Sequence, residues 1–128
     1  MSFEEKFTNW LESSLATVSS EKIKGFSFNL FEPAAIPGVK FGIELIGAQV
    51  FDKNDADWAC EEIWEPPQRQ LPIPIEYSGD TWEVCLDRMK KLVVKHLDSD
   101  SDAAKKLKTV EGVGVGFVDG DLEIVWVP

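Results

Sequence analysis

Residues 112–126 constrain the fold more than any other stretch, because they hold two β-rich runs on either side of Asp119-Gly120. An Asp-Gly pair between alternating apolar runs predicts a β-hairpin with a type I′ turn, whose two central residues need positive φ. Side chains alternate along a strand, so each run has one apolar face: Val113, Val115 and Phe117 on the first, Leu122, Ile124 and Trp126 on the second. Such a strand pair cannot stand alone in water, and earlier elements must cover it.

Two amphipathic helices are predicted to do so. Apolar residues at helical spacing predict the first helix over residues 2–18, with Ser2 as its N-cap. Asp80 and Glu83 have the spacing of a capping box, which predicts the start of a long second helix. Its apolar stripe contains Trp82, Cys85, Leu86, Met89, Leu92, Val93, His96 and Leu97. A short third helix is predicted over residues 103–108.

Three strands are predicted between the two long helices. Alternating apolar residues indicate strands at 23–32 and 40–51, and Gly47 suggests a bulge or a close approach of the backbone in the second. Residues 58–64 are predicted to form the third. Pro72 and Pro74 keep the next segment extended and outside any central strand.

The element order is therefore α-β-β-β-α-(α)-β-β. It predicts one α+β domain over residues 1–128, with a mostly antiparallel five-stranded sheet. The N-terminal helix and the long central helix are expected to pack on one face of that sheet. The pattern leaves open whether the last two strands lie beside the first three or form a separate ribbon.

The charge of the chain limits its partners. It has 23 acidic and 13 basic residues and a net charge of −10. Phosphate backbones and anionic membranes repel such a protein, which argues against nucleic-acid or membrane binding. A basic protein partner would be attracted, although the charge can also serve solubility alone. Cys60 and Cys85 are predicted to be buried free thiols, and no secretory signal is visible, so we expect a cytoplasmic protein.

Three motifs resemble chemical sites and fall short of them. The glycines of residues 112–116 lack the third glycine of a dinucleotide fingerprint, where Phe117 stands, so we predict a glycine-spaced strand lying close to a neighbouring helix or tryptophan. An EF-hand beginning at Asp52 would need glycine and glutamate where the chain has Asp57 and Ile63. His96 is the only histidine and has no partner nearby in sequence for relay or metal chemistry. We expect no catalytic residues, metal or cofactor, with a nonstandard cation site at Asp52, Asp55 and Asp57 as the alternative.

Residues 52–65, here called the acidic segment, combine aromatic side chains with carboxylates. Aromatic anchors ringed by charge are typical of protein-binding patches. The predicted partner-binding residues are Asp52, Asp55, Asp57, Trp58, Glu61, Glu62, Trp64 and Glu65. The competing interpretation is a core strand with a solvated edge.

Several blocks of the sequence resemble the small acidic bacterial immunity proteins of polymorphic and contact-dependent toxin systems. They are Phe-Asn-Leu-Phe-Glu (28–32), Ile-Glu-Leu-Ile-Gly (43–47), Asp-Trp-Ala-Cys-Glu-Glu-Ile-Trp (57–64) and the glycine-rich ending at 112–124. The resemblance implies a cytosolic, non-enzymatic inhibitor that binds a cognate toxin with a basic surface. A general adaptor or scaffold that dimerises through a strand edge, and a small enzyme or cation-dependent protein, are the alternatives.

Overall fold

Four helices cover one face of a sheet in the computed structural model, which describes residues 2–19 and 22–128. They are α1 (Phe3–Leu15), α2 (Ile75–Ser78), α3 (Trp82–Leu97) and α4 (Asp102–Leu107). Ser2 is the N-cap of α1, as predicted, and its hydroxyl accepts a hydrogen bond from the backbone N–H of Glu5. The predicted cap of α3 is wrong by one residue, because Thr81, not Asp80, accepts from the N–H of Val84.

The sheet contains six strands and is mixed, so the prediction of five mostly antiparallel strands is only partly right. The strands are β1 (Gly25–Phe31), β2 (Val39–Ala48), β3 (Glu62–Trp64), β4 (Gln70–Pro74), β5 (Gly112–Phe117) and β6 (Leu122–Trp126). Their order is β3-β2-β1-β5-β6, and β4 pairs with the first half of β2. The pair β1–β5 is parallel. The helical crossover between β4 and β5 permits that pairing, and it places the closing hairpin beside the first strands.

The proline-rich segment supplies the additional strand. β4 pairs only with β2, so Pro72 and Pro74 lie in an edge strand and not a central one, as predicted. The predicted bulge at Gly47 is confirmed, because the register of β2 against β3 shifts between Gly47 and Ala48.

The predicted third strand over residues 58–64 is wrong in its first half. A 3₁₀ helix (Ala56–Cys60) precedes the short β3, and the side chain of Asp55 caps it by accepting from the N–H of Asp57 at 3.1 Å. The three-residue period of this helix turns Trp58 inward and leaves Cys60 exposed, which corrects the prediction that both cysteines are buried.

The closing hairpin forms with a different turn and register. Neither Asp119 nor Gly120 has positive φ, so the type I′ prediction is wrong. The four-residue turn instead has the N–H of Gly120 donating to the carbonyl of Phe117 at 3.0 Å. A bulge between Val113 and Gly114 shifts the pairing, so that Val113 faces Trp126 while Gly114 faces Ile124. Trp126 therefore packs on the helical side, apart from Leu122 and Ile124.

Both faces of the sheet bury apolar residues. The larger cluster joins the helices to the sheet and includes Phe7, Leu11, Phe28, Leu45, Met89, Val93, Val113 and Val115. The opposite face carries a smaller cluster centred on Ile46, Ala48 and Trp58. Glycines make room for it: a Cβ on Gly25 would lie 2.6 Å from the Trp58 ring, and one on Gly112 would overlap Phe51. The glycine-spaced strand is confirmed as β5, but the predicted helix or tryptophan beside it is wrong, because Phe51 lies against Gly112 and Leu122 lies against Gly114.

Candidate protein-binding surfaces

The acidic segment places its carboxylates and its indoles on opposite sides. Six carboxylate residues are exposed: Asp52, Asp55, Asp57, Glu61, Glu62 and Glu65. Trp58 and Trp64 expose only 3% and 7% of their surface. Neither indole offers a partner much area in this conformation, so the two tryptophans hold the segment from below. The segment as a binding surface stays a prediction.

Each buried indole fixes one part of the segment to the sheet. Trp58 contacts Phe51 with ring centroids 4.9 Å apart and covers Gly25. Trp64 meets Phe26 edge-on at 5.8 Å. The Nε1 of Trp58 is buried without a hydrogen-bond partner among the described residues. The carboxylates therefore project from a base whose position is set by aromatic packing.

Arg69 neutralises part of the acidic segment. Its Nε donates to Glu44 Oε2 at 2.9 Å, and its Nη1 donates to Glu65 Oε2 at 2.6 Å and to Glu62. The hydrogen bond to Glu62 is the main reason that the pKa of Arg69 is raised above its usual value. Glu62 and Glu65 thus share one cation, and less of their charge is available to a partner.

The sequence-based prediction missed Arg69 and Glu44. The only sequence signal for Glu44 was its place among the polar positions of β2, which do not face the helices. Its side chain is 11% exposed, and Asn29 lies on its other side, with Nδ2 3.5 Å from Oε1. A carboxylate this buried needs a cation, which Arg69 supplies from 25 residues further along the chain.

The other four carboxylates of the segment fall into two groups. Asp52 and Asp55 accept hydrogen bonds from the backbone N–H groups of Asn54 and Asp57 at 2.9 and 3.1 Å, and so shape the loop. The carboxylates of Asp57 and Glu61 form no ion pair or hydrogen bond within residues 2–19 and 22–128. In the described part of the chain, no three His, Cys, Asp or Glu residues are grouped to hold a metal ion.

A second surface, here called the tryptophan groove, lies at the far ends of β1 and β5. It encloses about 850 Å³, and its apolar lining is Phe31, Trp82, Leu86, Phe117 and Val118. Its acidic lining is Glu32, Asp119, Asp121 and Glu123. Trp82 is 56% exposed, which corrects its predicted place on the buried stripe of α3. Helical side chains lean toward the N-terminus and pack on the preceding turn of their own helix. Trp82 is the first residue of α3, so no such turn lies beside its indole.

His96 and Cys85 lie on the helical side of the sheet, and neither lines the groove or belongs to the acidic segment. The His96 ring is 5.3 Å from that of Phe7, and Nε2 is 3.2 Å from Thr8 Oγ1. Burial, more than any other cause, lowers the pKa of His96. Burial also raises the pKa of the Cys85 thiol to about 12.

Known proteins give no indication of what these surfaces bind, so their function is inferred from their own residues. A scan against protein-family models, a search of curated proteins and a search of solved structures each return no match. None of the helices in the described ranges has the length and apolar character that a membrane crossing requires.

Proposed function

We propose that this protein binds a basic protein partner through the acidic segment and acts as a cytoplasmic, non-enzymatic immunity-type protein that neutralises a cognate toxin domain. The observation that carries the proposal is the arrangement of exposed carboxylates on a base fixed by two buried indoles. The resemblance to immunity proteins supplies the toxin as the expected partner.

Preorganised charge is what such a role requires. Carboxylates held at fixed positions attract and orient a basic surface, and they lose less conformational freedom on binding than carboxylates on a mobile loop. Asp57 and Glu61 have no internal partner in the described chain, so their charge is fully available. Glu62 and Glu65 are partly neutralised by Arg69. The proposal therefore predicts unequal contributions from residues that look equivalent in the sequence.

The test is a titration of the protein encoded by the neighbouring gene against single-charge variants. Asp55→Asn keeps a residue that caps helices well, while Asp57→Asn and Glu61→Gln are nearly isosteric. Each of these three should weaken binding by about two- to fivefold, the usual effect of a charge near an interface rim. Glu62→Gln and Glu65→Gln, the matched controls, should have smaller effects. No effect at Asp57 and Glu61 would remove the segment from the interface, and equal effects at all five positions would contradict the partial neutralisation by Arg69.

The strand edge at β6 favours a second candidate, a homodimeric scaffold. β6 ends the sheet, with β5 as its one neighbour, and its side chains are half-buried. Light scattering distinguishes the two functions. A dimer that persists at micromolar concentration, without binding to the neighbouring gene product, would favour the scaffold. The net charge of −10 opposes self-association, and we expect a monomer.

A further inference from the structure

We propose that the tryptophan groove binds an arginine-bearing segment of the basic partner, with the guanidinium stacked on Trp82 between the rim carboxylates. This inference rests on the proposed function for the identity of the partner, and it adds a second contact with its own specificity. The chemistry of the lining, the shape of the groove and its distance from the acidic segment lead to it.

The floor of the groove is built on a row of edge-to-face aromatic contacts, and its outer end is exposed to solvent. Phe41, in the core, meets Phe117 edge-on at 5.5 Å, and Phe117 meets Trp82 edge-on at 6.3 Å. The contact with Phe41 holds Phe117 in place, whereas more than half of the Trp82 side chain faces solvent. Indole is the side chain that binds cations best through its π face. An exposed indole on a rigid support is a suitable platform for a cation.

The charged residues at the rim of the groove are Glu32, Asp119, Asp121 and Glu123, and all four are acidic. Glu123 is paired with Lys90 at 3.2 Å. The carboxylates of Glu32, Asp119 and Asp121 form no ion pair within the described ranges, and no lysine or arginine lines the groove. Arginine fits this setting better than lysine, because a planar guanidinium can stack on the indole and donate to carboxylates on both sides.

The same charges argue against other occupants. A second copy of this chain would bring another acidic groove and a net charge of −10 toward the first. Phosphate groups of nucleic acids and of anionic lipids would meet three unpaired carboxylates. The volume of about 850 Å³ is that of a pocket for a few side chains, so a short peptide segment fills it better than a single small ion.

The groove and the acidic segment are separate surfaces. Trp58 covers Gly25 at the start of β1, whereas Phe31 at its end lines the groove. The seven residues of β1, at about 3.3 Å each, separate the two by roughly 20 Å. Substitutions in one surface should therefore act independently of those in the other. A partner that spans both would gain selectivity from their spacing.

The experiment is a two-dimensional ¹H–¹⁵N NMR titration of the full chain with three short synthetic peptides. The probes are acetyl-Gly-Leu-Arg-Leu-Gly-amide and the same peptide with lysine or glutamate in the central position. The arginine peptide should shift the indole N–H signal of Trp82 and the amide signals of residues 118–121. The lysine peptide should bind about three- to tenfold more weakly, and the glutamate peptide should leave these signals in place. The loss of one indole signal in Trp82→Phe assigns Trp82.

Variants then separate the groove from the rest of the protein. Trp82→Ala should weaken binding of the arginine peptide at least tenfold, and Asp119→Asn about two- to fivefold. Glu111→Gln, the matched control, removes an exposed carboxylate at the opposite end of β5 and should have no effect. Because Asp119→Asn lies in an exposed turn, it tests the proposal even if Trp82→Ala disturbs α3.

The outcomes separate this inference from the proposed function. Shifts confined to the acidic segment, equal shifts with the glutamate peptide, or Trp82 signals that move with protein concentration alone would overturn the groove proposal. The last result would mean that a second copy fills the groove. Arginine-selective shifts at Trp82 support it even if Asp57→Asn leaves partner affinity unchanged, and that result would count only against the acidic segment.

Discussion

The Arg69 cluster gives the sharpest stability prediction. Arg69→Met keeps most of the apolar stem and removes the cation that faces Glu44. Removing one partner of a fully buried pair costs about 3–5 kcal/mol, because the remaining charge is stranded. The Glu44 side chain is only 11% exposed, but Arg69 is 30% exposed, so water relieves part of the cost. We expect a loss of about 2–3 kcal/mol in the free energy of unfolding.

The assay is urea unfolding together with thermal melting. For a chain of this length, the loss corresponds to a fall in Tm of about 6–10 °C. Glu44→Gln in the Arg69→Met background removes the stranded charge and should recover most of the stability. Lys95→Met breaks an exposed pair with Glu4 and should cost less than about 0.5 kcal/mol. If Arg69→Met costs no more than Lys95→Met, or if the double variant shows no recovery, the buried-charge reasoning is refuted.

Three further predictions concern other parts of the fold. Burial lowers the pKa of His96 in the folded protein, so the unfolded chain binds more protons. The free energy of unfolding should therefore fall as the pH drops through 6.5, the ordinary pKa of histidine. His96→Gln should reduce this dependence, which urea unfolding over the same pH range measures. Gly112→Ala forces a methyl group against Phe51 and should cost about 1–3 kcal/mol, whereas Gly120→Ala, with no atom closer than 3.5 Å, should be nearly neutral; equal melting temperatures would contradict this. In the native protein a thiol reagent should modify Cys60 and leave Cys85 unmodified until denaturant is added; rapid native modification of both would contradict the burial of Cys85.

Local patterns predicted the elements whose signals lie within a few residues. The helical spacing from Phe3 to Leu15 and the alternation of Phe26, Phe28 and Leu30 each fixed an element and the face it buries. The α+β class and the packing of both long helices on one face followed from them. These features depend on periodicity alone, which a single sequence carries.

Features that depend on distant partners were not predictable in the same way. The bulge that turns Trp126 toward the helices arises where β6 pairs with Val113 and Gly114. The parallel pairing of β1 with β5 requires knowing where the hairpin docks. The Arg69–Glu44 pair joins the residue that precedes β4 to the middle of β2. In each case the feature depends on a contact between segments that are far apart in sequence, and residue spacing within one segment does not predict it.

The sequence alone also does not predict which tryptophans are exposed at the acidic segment and at the groove. Aromatic side chains and carboxylates lie close together in two parts of the molecule, and the sequence-based prediction named only the first. In the acidic segment the 3₁₀ helix turns Trp58 inward, and the carboxylates remain outside. At the groove the helix end leaves Trp82 exposed beside the hairpin turn. Only the fold decides which indole a partner can touch.

The most direct test of the account is the salt dependence of affinity for the neighbouring gene product. Calorimetry at about 0.05 M and about 0.3 M NaCl compares the wild type with the Asp55→Asn/Asp57→Asn/Glu61→Gln variant. If exposed carboxylates recruit a basic partner, wild-type affinity should fall by at least tenfold between the two salt concentrations, and the variant should bind more weakly at low salt with a much smaller fall. Equal affinity and an equal salt response in the two proteins would contradict the account.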